Sequence, residues 1–167
     1  LDDISKILYA GADKVCINTS ATKNIKFIKD ACKIFGSQSI VISVDYLINK
    51  DNKIEIWSNS GKFKTKLNFD DYLKELEISG AGEIILTSID RDGTMMGYDI
   101  ETLFKANNLI KIPIIAAGGA GEFKNMLELV NKTNISALAA SSIYHFTKKT
   151  PLDVKKFLKN NNILVRL

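Results

Sequence analysis

The sequence has little of what builds cross-linked or metal-bound folds, with two cysteines, one histidine and two prolines among its 167 residues. Cys16 and Cys32 are too few and too poorly spaced for a disulfide framework or a cysteine-based metal site, so we expect two reduced thiols. No apolar run reaches the roughly 18 residues of a membrane span, and no signal-peptide pattern is present. We therefore expect a cytoplasmic protein that does not insert into membranes.

Charge of one sign is also not concentrated anywhere in the sequence. The 23 basic and 19 acidic residues give a net charge of +4, and the lysines are interleaved with aspartates and glutamates. A nucleic-acid surface would need a basic stripe with aromatic partners, so a nucleic-acid role is not expected. The hydrophobic content of 46% is sufficient for a sizeable core. The length suits one domain, which we expect to occupy residues 1–167.

Short apolar segments alternate with segments of helical periodicity. Strands are predicted at 14–19, 39–47, 83–89, 113–118 and 135–143, and helices near 22–35, 69–79, 99–109, 122–131 and 151–161. Residues 53–67 alternate polar and apolar around an Asn-Ser-Gly turn, which predicts a hairpin. The strand segments are continuous apolar runs, typical of parallel strands buried on both faces. This α/β alternation is compatible with a doubly wound sheet or a (β/α) barrel.

Two architectures fit the number of elements. Five strands could form a small flavodoxin-like sheet that is complete in itself. They could also be the latter two-thirds of a (β/α)8 barrel, which usually needs about 250 residues. The first residues, "LDDISKILYAGADKV", read as a helix that leads into a strand. This beginning favours the barrel.

Polar residues and glycines follow the predicted strands. In parallel α/β folds, functional groups gather at these carboxyl ends. Asp45 ends one strand, where a carboxylate either caps a loop or acts as a general acid or base. The segments "AAGGAGEF" (116–123) and "AASSIYHF" (139–146) are candidates for a phosphate cradle, because glycine lets backbone N–H groups approach an anion.

Two charged residues precede strands instead of following them. Lys14 comes after "GAD" and Glu83 after "GAG", so both lie at matching depths at the opposite end of the sheet, where they could pair. In a barrel, residues at that end usually serve stability. An ion pair there could also gate a passage, and the sequence pattern alone leaves both roles open.

Five segments together resemble a known enzyme family. In order, they are "GADKVCINT", "FGSQSIVISVD", "GAGEIILTSIDRDGTMMGYD", "PIIAAGGAG" and "ALAASSIYHF". They resemble the cyclase subunit of imidazole glycerol phosphate synthase, and the resemblance covers essentially the whole sequence. It implies a (β/α)8 barrel of the phosphate-binding type that receives ammonia from a glutaminase subunit. It also implies a phosphorylated ribosyl substrate, with imidazole glycerol phosphate and an aminoimidazole carboxamide ribotide as products, and no metal or organic cofactor.

The resemblance also implies roles for individual residues. Asp45 matches one member of the family's acid/base pair, whose partner lies on the family's first strand. Residues that match phosphate-binding, supporting or mobile-loop positions are Asn18, Thr19, Ser60, Gly61, Thr87, Asp92, Gly93, Gly119, Ala140 and Ser141. Residues that match the ammonia gate or a glutaminase contact are Lys14, Glu83 and Asp13.

The sequence differs from the family in its extent and at several residues. The sequence is expected to correspond to about strands 4 to 8 of the barrel. We expect it to be inactive alone, because the partner carboxylate lies outside it and a barrel that lacks three strands exposes two sheet edges and most of its core. Tyr46 and Leu47 replace the family's usual basic residues, and Met95 and Met96 replace common polar ones. In these departures the sequence resembles a paralogous branch that delivers ammonia to a surface-polysaccharide sugar, which is an alternative to the histidine-pathway cyclase. The sugar isomerase that precedes this step shares the "RDGT" turn, and a non-catalytic docking scaffold is a further alternative.

Overall fold

The computed structural model describes residues 1–166 as an α/β fold around one sheet. Its strands are β1 (Val15–Ile17), β2 (Ile40–Ile48), β3 (Ile54–Ser58), β4 (Phe63–Lys64), β5 (Glu83–Ser88), β6 (Ile114–Ala117) and β7 (Ala137–Leu138). Its helices are α1 (Asp2–Tyr9), α2 (Thr19–Lys23), α3 (Ile25–Phe35), α4 (Phe69–Ile78), α5 (Ile100–Leu109), α6 (Phe123–Lys132), α7 (Ser142–His145) and α8 (Pro151–Asn160). Each of the five predicted parallel strands is present, which confirms the α/β class.

The parallel strands lie side by side in the order in which they occur along the chain. β1 pairs with β2, β2 with β5, β5 with β6, and β6 with β7, all in parallel. Right-handed crossovers between successive neighbours place every connecting helix on the same face of the sheet. A flavodoxin-like sheet reverses its strand order at a switch point, and this sheet has no reversal within the described residues. The flavodoxin-like alternative is therefore wrong, and the winding is that of a barrel wall.

The two faces of the sheet differ in burial. On β2, Ile42, Val44 and Tyr46 point towards the helices and are fully buried, whereas Ser43 and Asp45 on the opposite face are partly exposed. β5 alternates in the same way. The prediction of strands buried on both faces is therefore wrong for the described residues, because helices cover only one face. The partly exposed face is called the inner face below.

The predicted hairpin is present, with one unpredicted consequence. β3 and β4 pair antiparallel on either side of the turn. β3 also pairs antiparallel with the second half of β2, from Asp45 opposite Trp57 to Ile48 opposite Ile54. β2 is thereby extended beyond its predicted end, and the hairpin stands directly beside Asp45.

Helix ends follow their capping signals. The Asn68 side chain accepts hydrogen bonds from the N–H groups of Asp70 and Asp71 at 3.0 and 3.1 Å, as its position before α4 predicts. Thr150 and Asp153 form a reciprocal capping box at the start of α8. Such caps contribute about 1 kcal/mol each to stability.

Two element boundaries differ from the prediction. The helix expected near 22–35 is divided at Asn24, whose extended backbone ends α2 and whose side chain caps α3. The strand expected at 135–143 is limited to Ala137–Leu138, and its last residues begin α7. Within residues 1–166, no helix is long and apolar enough to cross a bilayer.

Candidate functional site

An acidic pocket lies at the carboxyl end of the inner face. The pairing of β2 with β5 and β3 places Asp45 between Thr87 and Trp57. Five of the predicted site residues line the cavity, which has a volume of about 270 Å³, together with Ile89: Asp45, Ser60, Gly61, Thr87 and Asp92. The sheet register therefore brings together residues that are up to 47 positions apart in the sequence.

The Asp45 carboxyl has a raised pKa. Partial burial is the largest cause, and the nearby charge of Asp92 raises the pKa further. Hydrogen bonds from the side chains of Asn18 and Ser43 oppose the rise, the Ser43 hydroxyl lying 3.4 Å from the carboxylate oxygen. A carboxyl whose pKa is moved towards neutrality can both accept and release a proton, as a general acid or base must.

Asn18 and Thr19 lie beside this pocket at the end of β1. The Asn18 amide donates to the Ser43 carbonyl at 3.1 Å, which fixes the loop to β2. The Thr19 hydroxyl accepts the N–H of Asn59, at the tip of the hairpin, at 3.0 Å. This hydrogen bond connects the hairpin tip, which also carries Ser60 and Gly61, to the residues that follow β1.

The acid turn after β5 (residues 89–96) is held by its own hydrogen bonds. The Ser88 hydroxyl donates to Asp90 at 2.9 Å, and the Thr94 hydroxyl donates to the Arg91 carbonyl at 2.7 Å. Arg91, which lies between Asp90 and Asp92 in the sequence, donates to the Gly97 carbonyl at 3.3 Å. Within residues 1–166 it forms no ion pair. Asp92 and Gly93 remain exposed at the tip of the turn.

The glycine-rich loop after β6 packs against this turn. A Cβ at Gly119 would lie 2.1 Å from the Gly97 carbonyl oxygen, and one at Gly121 would lie 2.0 Å from the Met95 carbonyl oxygen. The N–H groups of Gly121 and Glu122 are occupied by the Asn125 side chain, so the start of α6 is already capped. The donors available to an anion therefore precede the helix.

Four backbone donors at the ends of β6 and β7 are available. Among the described residues, no acceptor is bound by the N–H groups of Gly119, Ala120, Ala140 and Ser141. Gly119 and Ala120 are buried, and a buried N–H without a partner is costly. β6 and β7 are neighbours, so the two loops lie side by side at the edge of the sheet. Such a group of donors is suited to an oxyanion such as phosphate.

Lys14 and Glu83 are in direct contact at the other end of the sheet, which confirms that they pair. Glu83, Ile85 and Thr87 share the inner face of β5, so this ion pair lies about 13 Å from the acidic pocket. Asp13 is exposed next to Lys14. The sheet thus carries a charged pair at one end and a carboxylate pocket at the other.

The chain matches the family described as "Histidine biosynthesis protein" over residues 1–149. It belongs to this family. Three curated relatives named imidazole glycerol phosphate synthase subunit HisF are similar over nearly the whole chain. The identity is 45% over 100% of the chain for Hydrogenobaculum sp. (strain Y04AAS1), 43% over 100% for Dictyoglomus thermophilum and 41% over 99% for Streptococcus mutans. The chain spans 66% of the length of each relative.

Two residues at this end of the sheet were not identified from the sequence. Trp57 pairs with Asp45 across β2 and β3, and its buried indole N–H has no partner among the described residues. The Tyr98 hydroxyl donates to the Ala139 carbonyl at 3.0 Å, joining two loops at the carboxyl end. The alternation of the hairpin could have placed Trp57 near the site once its pairing with β2 was known. No local pattern indicates the Tyr98 contact.

Proposed function

We propose that this protein is the ammonia-dependent cyclase subunit of imidazole glycerol phosphate synthase. The proposed reaction converts a phosphoribulosyl-formimino aminoimidazole carboxamide ribotide substrate to imidazole glycerol phosphate and aminoimidazole carboxamide ribotide. The observation that carries the proposal is the position of Asp45, a carboxyl of raised pKa that lies between residues matching the family's two phosphate-binding positions.

The order of the strands supports a substrate with a phosphate at each end. Asn18 and Thr19 follow β1, whereas the available N–H groups follow β6 and β7. Three strand spacings separate β1 from β6, or about 14 Å along the sheet. Asp45 and Thr87 lie on the two strands between them. A substrate held at both ends would therefore present its middle to the Asp45 carboxyl.

In the proposed mechanism, Asp45 holds or moves one proton at its carboxylate oxygens. Ser43 and Asn18 orient the carboxylate, and Asp92 helps to keep its pKa raised. A positioned acid or base of this kind contributes about 10²- to 10⁴-fold to a rate. Family resemblance supplies the second carboxylate of the acid/base pair on a strand outside residues 1–167. We therefore propose that residues 1–167 alone are inactive.

We further propose that residues 1–167 form part of one (β/α)8 barrel domain, corresponding to about strands 4 to 8. The single direction of winding supports this proposal, since all crossover helices cover one face. The partly exposed inner face would then be the interior of the barrel. Additional strands would pair with the edges at β1 and β7.

We also propose a cytoplasmic glutaminase subunit as the partner, bound at the end of the sheet that carries Lys14 and Glu83. Helices in βα units end near the beginnings of the strands, and three of them end there in exposed apolar side chains. These are Tyr9, Ile34 and Ile78, with exposures of 90%, 59% and 84%. Asp13 adds an exposed carboxylate to the same surface. Ammonia would enter past the ion pair and cross the inner face to Asp45.

Removing the Glu83 charge should affect turnover with glutamine and turnover with added ammonium differently. In Glu83→Gln, we expect glutamine-dependent turnover with the glutaminase to fall at least about tenfold, equivalent to about 1.4 kcal/mol in activation free energy. Turnover with added ammonium should stay within about twofold, because Glu83 is about 13 Å from the pocket. Both rates are measured by product formation. Glu128→Gln is the matched control, since Glu128 is an exposed carboxylate in a lysine pair on α6. Equal loss of both rates in Glu83→Gln would contradict a gating role.

The function itself is tested on the full gene product without glutaminase. The histidine-pathway bisphosphate substrate is supplied with concentrated ammonium salt, and substrate loss is followed together with both products. Turnover is the expected result. A folded protein that consumes no substrate would contradict the proposal and favour the polysaccharide paralogue. Of the departures that raised this alternative, Tyr46 is fully buried on the helix side of β2 and does not reach the pocket.

A further inference from the structure

Two consecutive residues contact both loops that carry the available N–H groups. The N–H of Gly97 donates to the Gly119 carbonyl at 2.7 Å. The hydroxyl of Tyr98 donates to the Ala139 carbonyl at 3.0 Å. Gly97 and Tyr98 are both buried, and both lie in the segment that joins the acid turn to α5. One short segment therefore holds the loop after β6 and the loop after β7.

Because the peptide bond is planar, each of these contacts also fixes the direction of the N–H group in the same peptide. In a trans peptide, the carbonyl oxygen and the N–H of the next residue point in opposite directions within one plane. The structure contains no cis peptide bond in the described residues. When Gly97 holds the Gly119 carbonyl, the Ala120 N–H must point away from Gly97. When Tyr98 holds the Ala139 carbonyl, the Ala140 N–H must point away from Tyr98.

The two N–H groups oriented in this way, those of Ala120 and Ala140, are among the four that have no acceptor in the described residues. Neither Ala120 nor Ala140 donates to any of the described residues, and Ala120 is only 5% exposed. A hydrogen bond to the carbonyl of a peptide also polarises its N–H group, because linked hydrogen bonds strengthen one another. The Ala120 and Ala140 N–H groups are therefore oriented and polarised, and neither has an acceptor among the described residues.

The surroundings keep the two anchoring residues in place. Gly97 has a φ of +101°, and a Cβ there would lie 3.2 Å from the Asn125 side chain, so the position favours glycine. The Gly97 carbonyl accepts a hydrogen bond from Arg91. Burial raises the pKa of Tyr98 well above its ordinary value, so its hydroxyl keeps its proton at physiological pH.

We propose that Gly97 and Tyr98 are positioning residues, which hold the peptides Gly119–Ala120 and Ala139–Ala140 by their carbonyl oxygens so that the Ala120 and Ala140 N–H groups bind one phosphoryl group. The inference deepens the proposed function, since it concerns one phosphate end of the same substrate. It rests on that function only for the identity of the ligand. Binding of inorganic phosphate tests it separately from turnover.

The test compares Tyr98→Phe with Tyr144→Phe in the full gene product. Tyr98→Phe removes one hydroxyl and keeps the ring in its packing. Tyr144 is a nearby, partly buried tyrosine whose hydroxyl binds nothing among residues 1–166, so its substitution is the matched control. We expect Tyr98→Phe to weaken inorganic phosphate binding about three- to tenfold, the effect of one lost hydrogen bond. Tyr144→Phe should bind phosphate like the wild type.

Steady-state kinetics provide a second test, in which KM and kcat are expected to respond differently. If Tyr98 acts through substrate phosphate, Tyr98→Phe should raise KM by a similar factor and leave kcat within about twofold, because the lost interaction is present in substrate and transition state alike. A general loss of structure would lower kcat and the melting temperature together. Absence of turnover in all variants, with the difference in phosphate binding retained, would contradict the proposed function and support this inference.

A measurement on the unaltered protein covers the case in which Tyr98→Phe does not fold. During an NMR titration with inorganic phosphate, the amide protons of Ala120 and Ala140 should show the largest downfield shifts. Failure of both protons to shift at saturating phosphate would overturn the inference. So would the absence of phosphate binding, or a folded Tyr98→Phe variant whose phosphate affinity equals that of the control.

Discussion

Replacing Asp45 with asparagine in the full gene product should lower ammonia-dependent turnover about 10²- to 10⁴-fold, the usual contribution of a positioned acid or base. Asparagine keeps the size and much of the hydrogen bonding of the side chain but cannot exchange a proton. The Ser43 hydroxyl and the Asn18 amide remain in place to orient the new side chain. The loss should therefore appear in kcat, with a smaller change in KM.

The same substitution should stabilise the fold at neutral pH. Because burial raises the pKa of Asp45 above its ordinary value of 3.8, the folded state keeps the proton to higher pH than the unfolded state does. Between the two pKa values the folded state binds more protons, so the free energy of unfolding falls as pH rises. Above that window the wild type bears the full cost of charging a partly buried carboxyl, and the asparagine variant does not. Well below pH 3.8, where both states are protonated, the pH-dependent part of this difference should disappear.

Chemical denaturation at several pH values, together with steady-state kinetics, checks both parts of this prediction. Asp51→Asn serves as the control, since Asp51 is an exposed carboxylate in the turn between β2 and β3 and should change neither quantity. Full turnover in a folded Asp45→Asn variant would contradict the acid/base role. A loss of turnover accompanied by a large loss of stability at neutral pH would mean that Asp45 is structural.

The positions of the strands could be predicted from the sequence because each apolar run ends at a polar or glycine residue. Asp45 and Gly119 were predicted to lie at one edge of the sheet for this reason, since parallel strands gather their carboxyl ends there. The pairing of Lys14 with Glu83 was also predictable, because each comes directly after an equivalent turn at the start of a strand. These features depend on local order along the chain, which the sequence displays directly.

Features that depend on how segments meet were predicted less well. The pairing of β3 with β2 was missed because a hairpin pattern does not indicate which outer strand it joins. β7 was predicted too long because "LAASSI" is apolar enough for a strand, although Ser141 and Ser142 favour the start of a helix. The burial of strand faces was overestimated, because an apolar run does not indicate how many layers cover it.

In the candidate site too, some features could be predicted from the sequence, whereas others depend on contacts between distant segments. Residue roles came from family resemblance, whereas the cavity around Asp45 comes from the register of β2 with β3 and β5. The contacts of Gly97 and Tyr98 end on backbone carbonyls, which any residue provides, so no residue pattern marks their partners. Only the three-dimensional arrangement shows why glycine, tyrosine and aspartate follow one another at residues 97–99. Asp99 completes the set by capping α5 through the N–H of Thr102.

Gly119→Ala is expected to have the largest effect on stability among the variants considered. Its φ of +97° disfavours any side chain, and the new Cβ would lie 2.1 Å from the Gly97 carbonyl oxygen. That oxygen belongs to backbone held by the 2.7 Å hydrogen bond from Gly97 to Gly119, so it cannot move without breaking the contact between the loops. We expect a loss of about 3–5 kcal/mol in the free energy of unfolding, measured by urea denaturation.

Gly11→Ala separates the steric part of this loss from the conformational part. Gly11 has nearly the same φ, +102°, but no heavy atom lies within 4 Å of its added Cβ. Its substitution should cost only about 1–2 kcal/mol, the penalty of the left-handed backbone. Equal losses in the two variants would mean that the loops adjust freely and that the contact between Gly97 and Gly119 is weak. A larger loss at Gly119 would show that close approach of the two backbones, and not φ alone, requires glycine where the proposed phosphate donors begin.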